Sequence, residues 1–286
     1  MILGEIDELY SYIENPIPVW AWRSTHILTS IHWKILGLSK NIDQSSYETS
    51  HFWDSRLNRA KRLELIEDFE GESIFLEVPN DDFIESFYTE CGLVPISFDE
   101  KEDSLISKIQ SALKLLDYDW ELKKSIFSLV KRIQIVSTSD LEIDVSHSDP
   151  EFPFTIFISL CEDESEISNL RVLESIIHEA MHLKLTLLEK VLPLVEVGTT
   201  ETFYSPWRDE ERPIRGVLHG VYVFKSIYDF ISNYQIYKMN SESAKNYISF
   251  RINVIENELK RTINIKFSNG FTQNGANLLK NLLPLN

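Results

Sequence analysis

Val172-Leu173-Glu174-Ser175-Ile176-Ile177-His178-Glu179-Ala180-Met181-His182-Leu183-Lys184-Leu185 lies at the centre of a helix predicted from about Asn169 to Val195. Apolar residues recur through it at helical spacing: Val172, Ile176, Ile177, Ala180, Met181, Leu185 and Leu188. His178 and His182 are four apart, so both imidazoles fall on one face, one turn from each other. Two such rings can reach one cation at ordinary ligand distance. Glu179 is one position on and turns off that face, yet can lean toward a water on the metal; this is the HExxH arrangement. A structural alternative is a pair of hydrogen-bonded core histidines. Burying two imidazoles and a carboxylate in so apolar a helix is costly without partners, which favours the metal.

Two histidines do not complete a site. Of the other five, His26, His32, His51, His147 and His219, only His219 falls on the next predicted helix, which starts near Pro213 and runs to about Tyr237. Arg212, Arg215, His219 and Tyr222 share one of its faces, at spacings of three, four and three. An irregular crossover, Gly198 to Glu211, would let two antiparallel helices bring His219 against the first pair. The other reading of His219 is a core histidine with hydrogen-bond partners.

Arg208, Arg212 and Arg215 are unexpected in so acidic a chain. A guanidinium suits bidentate carboxylate binding, and the start of a helix adds positive potential. A carboxylate-bearing cosubstrate beside the metal would use both. Local ion pairs to Asp209, Glu210 and Glu211 are the alternative. Two chemistries share the HExxH pair. In a zinc peptidase Glu179 polarises water. In a non-haem iron oxygenase the metal keeps positions open for an oxoacid and dioxygen, and its usual third ligand is a carboxylate.

The rest of the chain sets the frame. Hydrophobic residues make up 43% of 286, enough for a buried core, so disorder does not dominate. A net charge of −17 argues against nucleic acid and against anionic membrane surfaces. Cys91 and Cys161 are far apart and form no CxxC pair, the N-terminus lacks a secretory pattern, and no apolar run reaches transmembrane length; the expected compartment is the cytoplasm. Residues 1 to about 100 read as mainly helical, including Trp53 to Phe69, with a short strand at Ser73–Val78. Helices are expected over 104–132, broken near Asp117–Asp119, with strands at Ile133–Ser137 and Phe154–Leu160. A further amphipathic helix spans Ser241 to Lys260. Ser268-Asn269-Gly270 and Gln273-Asn274-Gly275 are turn signals. The expected class is α+β, mainly helical, with the HExxH helix packed against a second ligand-bearing helix and a small sheet. A helical region 1–103, a scaffold or a recognition surface, would precede a metal-binding region 104–286, or the two would form one continuous domain.

The strand Phe154–Leu160, the HEAMH helix, and YSPWR…RPIRGVLHGVYVF from Tyr204 to Phe224 together resemble the HExxH-type, 2-oxoglutarate-dependent peptide β-hydroxylases of ribosomal peptide natural-product biosynthesis. The resemblance is strongest over residues 150 to 226. It implies Fe(II), 2-oxoglutarate and dioxygen, and hydroxylation of a side-chain β-carbon in a precursor peptide. By position it implies His178, His182 and His219 as metal ligands. It places oxoacid binding among Arg208, Arg212 and Arg215, and gives Glu179 the holding of a ligand or water. Tyr204 and Trp207 can line a peptide groove, though aromatic residues at such a crossover more often pack. A zinc metallopeptidase, using Zn(II), and a non-catalytic peptide-binding protein with a relic metal site are the competing readings.

Overall fold

Glu70 and Gly71 both adopt left-handed backbone, φ 51° and 79°, and close a two-residue hairpin. It joins β1 (Ala60–Phe69) to β2 (Glu72–Pro79), paired antiparallel from Phe69↔Glu72 outward. Ala60–Phe69 is therefore a strand, where its charge spacing predicts a helix; residues 53–59 of that expected helix lie outside the described residues. The computed structural model describes residues 3–35, 60–96, 102–138, 144–161, 163–237 and 241–283. The fold is α+β and mainly helical.

Two compact units divide the chain. One is contiguous, Leu28–Leu183; the other combines Met1–Ile27 with Lys184–Asn286. In the contiguous unit, β2 continues into a short helical segment, α3, made of Asp81–Phe83, a π turn at Ile84–Tyr88, and Thr89–Cys91. Asn80 starts it by accepting a hydrogen bond from Phe83 N (2.9 Å). β3 (Val94–Pro95), α4 (Glu102–Lys114), a 3₁₀ turn (Leu115–Tyr118) and α5 (Trp120–Leu129) follow, with the break where the sequence places it. Asp119 Oδ1 caps α5 by accepting from Leu122 N.

β4 (Arg132–Ser137) and β6 (Thr155–Ile158) lie inside the sheet, with β5 (Ser146–His147) on its far edge. The order is β1-β2-β4-β6-β5, and β3 pairs separately with β4. β2–β4 and β4–β6 are parallel; the outer pairs are antiparallel. Inner parallel strands are covered on both faces, which is why β6 reads as a continuous run of β-branched and aromatic residues, whereas β4 alternates and buries Arg132 and Gln134 along with its isoleucines. Polar groups in this core are satisfied by each other. Arg132 Nη1 donates to Glu77 Oε1 (2.7 Å), Gln134 Nε2 to Glu77 Oε2 (2.9 Å), and Tyr88 Oη to Gln134 Oε1 (2.8 Å).

The other unit draws on both ends of the chain. α1 (Leu3–Glu14) packs on the last described helix, α9 (Gln273–Leu282). Asn281 Nδ2 donates to Glu14 O (2.8 Å). Between them in sequence are α2 (Trp22–Ile35) and the long α6 (Glu166–Val191), each of which runs on from one unit into the other, and then β7 (Thr202–Ser205), β8 (Glu210–Pro213), α7 (Ile214–Tyr237), α8 (Glu242–Arg261) and a 3₁₀ turn (Ile263–Phe267). The carbonyl of Val19 gathers three donors: Tyr12 Oη (2.6 Å), Lys184 Nζ (2.8 Å) and Tyr222 Oη (3.3 Å). Lys184 is fully buried, with its ammonium over the Tyr12 ring, and the two tyrosine hydroxyls meet at 2.6 Å. Burial pushes both phenols up from their ordinary range.

Two further expectations change here. Gly198–Glu211 is not wholly irregular, because β7 and β8 form a hairpin within and just beyond it. Gln273-Asn274-Gly275 is not a turn but the first turn of α9, capped by Thr272 Oγ1, which accepts from Gly275 N (3.2 Å). Glycine is there for packing: a Cβ on Gly275 would lie 1.9 Å from Leu194 O. No helix among the described residues is long and apolar enough to cross a membrane.

Candidate metal centre

α6 begins at Glu166, three residues earlier than its apolar pattern suggests, because Ser165 caps it. Its Oγ accepts from Ser168 N (3.1 Å), and an acidic residue occupies the first turn. It ends at Val191, two residues before Pro193. The buried stripe Leu173, Ile176, Ile177, Ala180 and Met181 fixes the helix rotation. His178 and His182 are then half-buried on the remaining face.

Their rings sit 4.8 Å apart between centroids, at 66°, with Nε2 to Nε2 at 3.2 Å. This distance tests the donor pair. Two metal–nitrogen bonds of about 2.1 Å, opened by about 90–110°, separate the nitrogens by roughly 3.0–3.4 Å. The imidazole pair therefore fits two adjacent positions on a divalent transition metal. Glu179 is buried, 3% exposed, with Oε1 3.8 Å from His178 Nε2. Among the described residues, no group of three or more His, Cys, Asp or Glu side chains is gathered around one point where a metal would sit.

His219 is buried on α7, with Nε2 3.0 Å from Glu189 Oε2. The same carboxylate takes the fork of Arg215: Nε at 3.0 Å and Nη2 at 2.7 Å from Oε2. Burial works to raise the Glu189 carboxyl pKa, but His219 and Arg215, by hydrogen bonding and charge, hold it below its ordinary value. Glu189 escaped the sequence reading. Its signal was its spacing on the helix, eleven residues after His178 and seven after His182, close to whole turns of 3.6 residues.

The arginines differ from one another. Arg215 is bound by Glu189, and Arg212 pairs with Glu210 (3.0 Å) at the surface. Arg208 is exposed, and its side chain makes no hydrogen bond or ion pair among the described residues. Tyr204 and Trp207 are packing residues. Trp207 stacks on Phe224 (4.8 Å, 2° between planes) and donates from Nε1 to Glu258 Oε2 (3.1 Å). Tyr204 bonds Asp209 and accepts from Arg261 Nη2 (2.6 Å). These contacts seat the β7–β8 hairpin on α7 and α8.

The seat depends on Gly220, the neighbour of His219. A Cβ there would stand 2.3 Å from Trp207 Cζ3. Gly220→Ala is expected to lift the indole, shift the near-ultraviolet circular dichroism and tryptophan fluorescence, and cost about 1–3 kcal/mol in urea unfolding. Unchanged spectra would show that the indole does not sit on this glycine. No protein-family model matches the chain, and no curated protein matches it.

Proposed function

We propose that this protein is an Fe(II)- and 2-oxoglutarate-dependent oxygenase that hydroxylates a side-chain β-carbon in a ribosomally made precursor peptide. The observation that carries the metal part is the convergence of His178 and His182 at 3.2 Å beside the buried Glu179. The oxygenase part rests on the resemblance of residues 150 to 226 to the peptide β-hydroxylases. In this reading His219 is the third ligand. Bound there, iron would supply dioxygen activation, with 2-oxoglutarate giving two electrons as it becomes succinate and carbon dioxide.

The protein's own residues hold and orient. His178 and His182 bring their Nε2 atoms together from a single helix, so a metal held by both would need little reorganisation. Glu179, too far from His178 Nε2 for a hydrogen bond, is placed to hold a water or ligand next to the pair. Arg208, whose guanidinium is not engaged among the described residues, has its donors left over for the distal carboxylate of the oxoacid, whereas Arg215 and Arg212 are taken by Glu189 and Glu210. The strongly acidic surface suits a basic peptide segment. The cytoplasm, where such precursor peptides are made, is the proposed compartment; Cys91 and Cys161 are both free thiols.

Anaerobic loading with Fe(II), then 2-oxoglutarate, air and a candidate precursor peptide, should yield succinate and a peptide heavier by one oxygen atom. His182→Ala should weaken metal binding more than about 100-fold, beyond the range usual for outer-shell partners, and abolish both products. A zinc metallopeptidase is the second reading, favoured by the buried carboxylate beside His178. Peptide cleavage by the zinc-loaded protein, with no oxygen incorporated under iron, would establish it instead.

A further inference from the structure

β7 and β8 form a sheet of two strands, so each strand keeps an unpaired side among the described residues. The register says which groups lie on it. Ile214 N donates to Glu201 O (3.1 Å), and the next residues inward, Thr202 and Pro213, face each other. In an antiparallel pair, residues that exchange hydrogen bonds alternate with residues that do not. Phe203 and Ser205 therefore turn their amides and carbonyls toward β8, while Thr202 and Tyr204 turn theirs away. Neither Thr202 N nor Tyr204 N donates to a backbone partner among the described residues, and Thr202 is exposed. Asp209 and Arg261 both bond the Tyr204 hydroxyl, but not its main chain.

Proteins normally blunt an open strand edge with proline, bulges or charged side chains. β8 is blunted: its outward residues are Glu211 and Pro213, and proline has no N–H to donate. β1, at an edge of the larger sheet, slips register twice, and its Ile66 carbonyl accepts from Gln110 Nε2 (2.6 Å). β7 has neither proline nor bulge, and its pairing with β8 runs without a slip. Its hairpin is acidic, because Glu201, Asp209, Glu210 and Glu211 outnumber Arg208 and Arg212.

We propose that β7 is a docking edge for an extended, lysine- or arginine-bearing segment of the peptide substrate, which adds as a third strand against Thr202 and Tyr204. The identity of the occupant rests on the peptide-modifying function proposed above; the geometry of the edge does not involve the metal. Strand addition draws affinity from main-chain bonds and selectivity from alternate side chains. The acidic hairpin supplies part of that selectivity, since a basic strand complements it.

The probe is a short fluorescent peptide that alternates lysine with threonine. Its controls are the glutamate–threonine counterpart and a lysine–threonine copy with an N-methylated backbone, which keeps the charge but cannot pair as a strand. Fluorescence anisotropy with the full chain should show saturable binding of the lysine peptide and none of either control over the same range. Thr202→Pro removes an outward N–H and leaves the β7–β8 bonds in place. It should weaken binding about 3–10-fold, as expected for one main-chain hydrogen bond. Amide hydrogen exchange should slow at Thr202 and Tyr204 when the lysine peptide is added, and change far less at Phe203 and Ser205.

A thermal melt shows whether Thr202→Pro folds; if it does not, the exchange data and the N-methylated peptide decide the matter on the wild-type chain. Absence of saturable binding overturns the proposal. So does binding that survives N-methylation, is matched by the glutamate peptide, or leaves both amides exchanging freely. A dimer of the chain held by this edge, lost in Thr202→Pro and indifferent to the peptide, makes β7 a self-association surface and overturns it too. The hydroxylase reading fails separately: a chain that oxidises no peptide, yet protects Thr202 and Tyr204 on binding one, keeps the docking edge and loses the oxygenase.

Discussion

Arg132→Ala is expected to destabilise the protein by about 3–5 kcal/mol, read as a lower urea midpoint. Arg132 and Glu77 are 4% and 0% exposed in their side chains, on neighbouring inner strands. The attraction between them does little more than offset the cost of taking both charges out of water. Removing the guanidinium alone leaves a buried carboxylate in the sheet without the cation that faces it, while Gln134 still donates to its other oxygen. The informative control is Arg132→Met with Glu77→Leu. Apolar replacement of both members of a buried pair is often close to neutral, so the double variant should be more stable than Arg132→Ala. If the double variant is the less stable of the two, the pair contributes net stability and the desolvation argument fails here. Tyr88 and Gln134 complete the chain of bonds, so their replacements should not be additive with that of Arg132.

Gly275→Ala should be nearly as damaging, on the order of 3 kcal/mol, for a purely steric reason. The added carbon would meet Leu194 O at 1.9 Å and Leu194 C at 2.9 Å. These are backbone atoms and cannot rotate away. The same carbonyl accepts from Thr272 N (3.0 Å), and Val195 bridges Phe271, so the clash falls on the joint where α9 meets the chain leaving α6. In an exposed helix the change from glycine to alanine would stabilise by up to about 1 kcal/mol; here the sign should reverse. A thermal melt of the single variant decides it, and an unchanged or raised Tm would show that α9 can slide.

The same glycine explains one way the sequence misleads. Gln-Asn-Gly is a turn pattern by composition, yet the glycine serves a close approach that appears only once Leu194 is in place. Ala60–Phe69 misleads for a different reason. Its pairing with β2 slips at Ala60/Arg62 and at Leu65/Glu67, so its apolar residues never alternate cleanly over the strand, and charges fall at helical intervals by default. The β7–β8 hairpin is four residues a side with little of it buried, and it carries Pro206 and Pro213, so it lacks the β-branched and aromatic run that marks β6. What was legible was whatever burial imposes on one element alone: the stripe of α6, the inner strands, and the proline start of α7. Of the site, the convergence of His178 and His182 follows from helix geometry and could be read directly. The partners of His219 and Arg215 could not, because a contact between residues 189 and 219 depends on how two helices meet.

Val19 and the last helix carry a consequence for how the chain is made. The Leu28–Leu183 unit is contiguous, so every strand of its sheet has been synthesised once residue 183 has emerged. The opening helix has no such luck: its hydroxyl at Tyr12 waits for Tyr222, and its end at Glu14 waits for Asn281. During translation these two contacts wait for more than two hundred residues of elongation, at a rate of roughly 5–20 residues per second. The acidic character of the growing chain would keep such an intermediate apart from its neighbours during the delay.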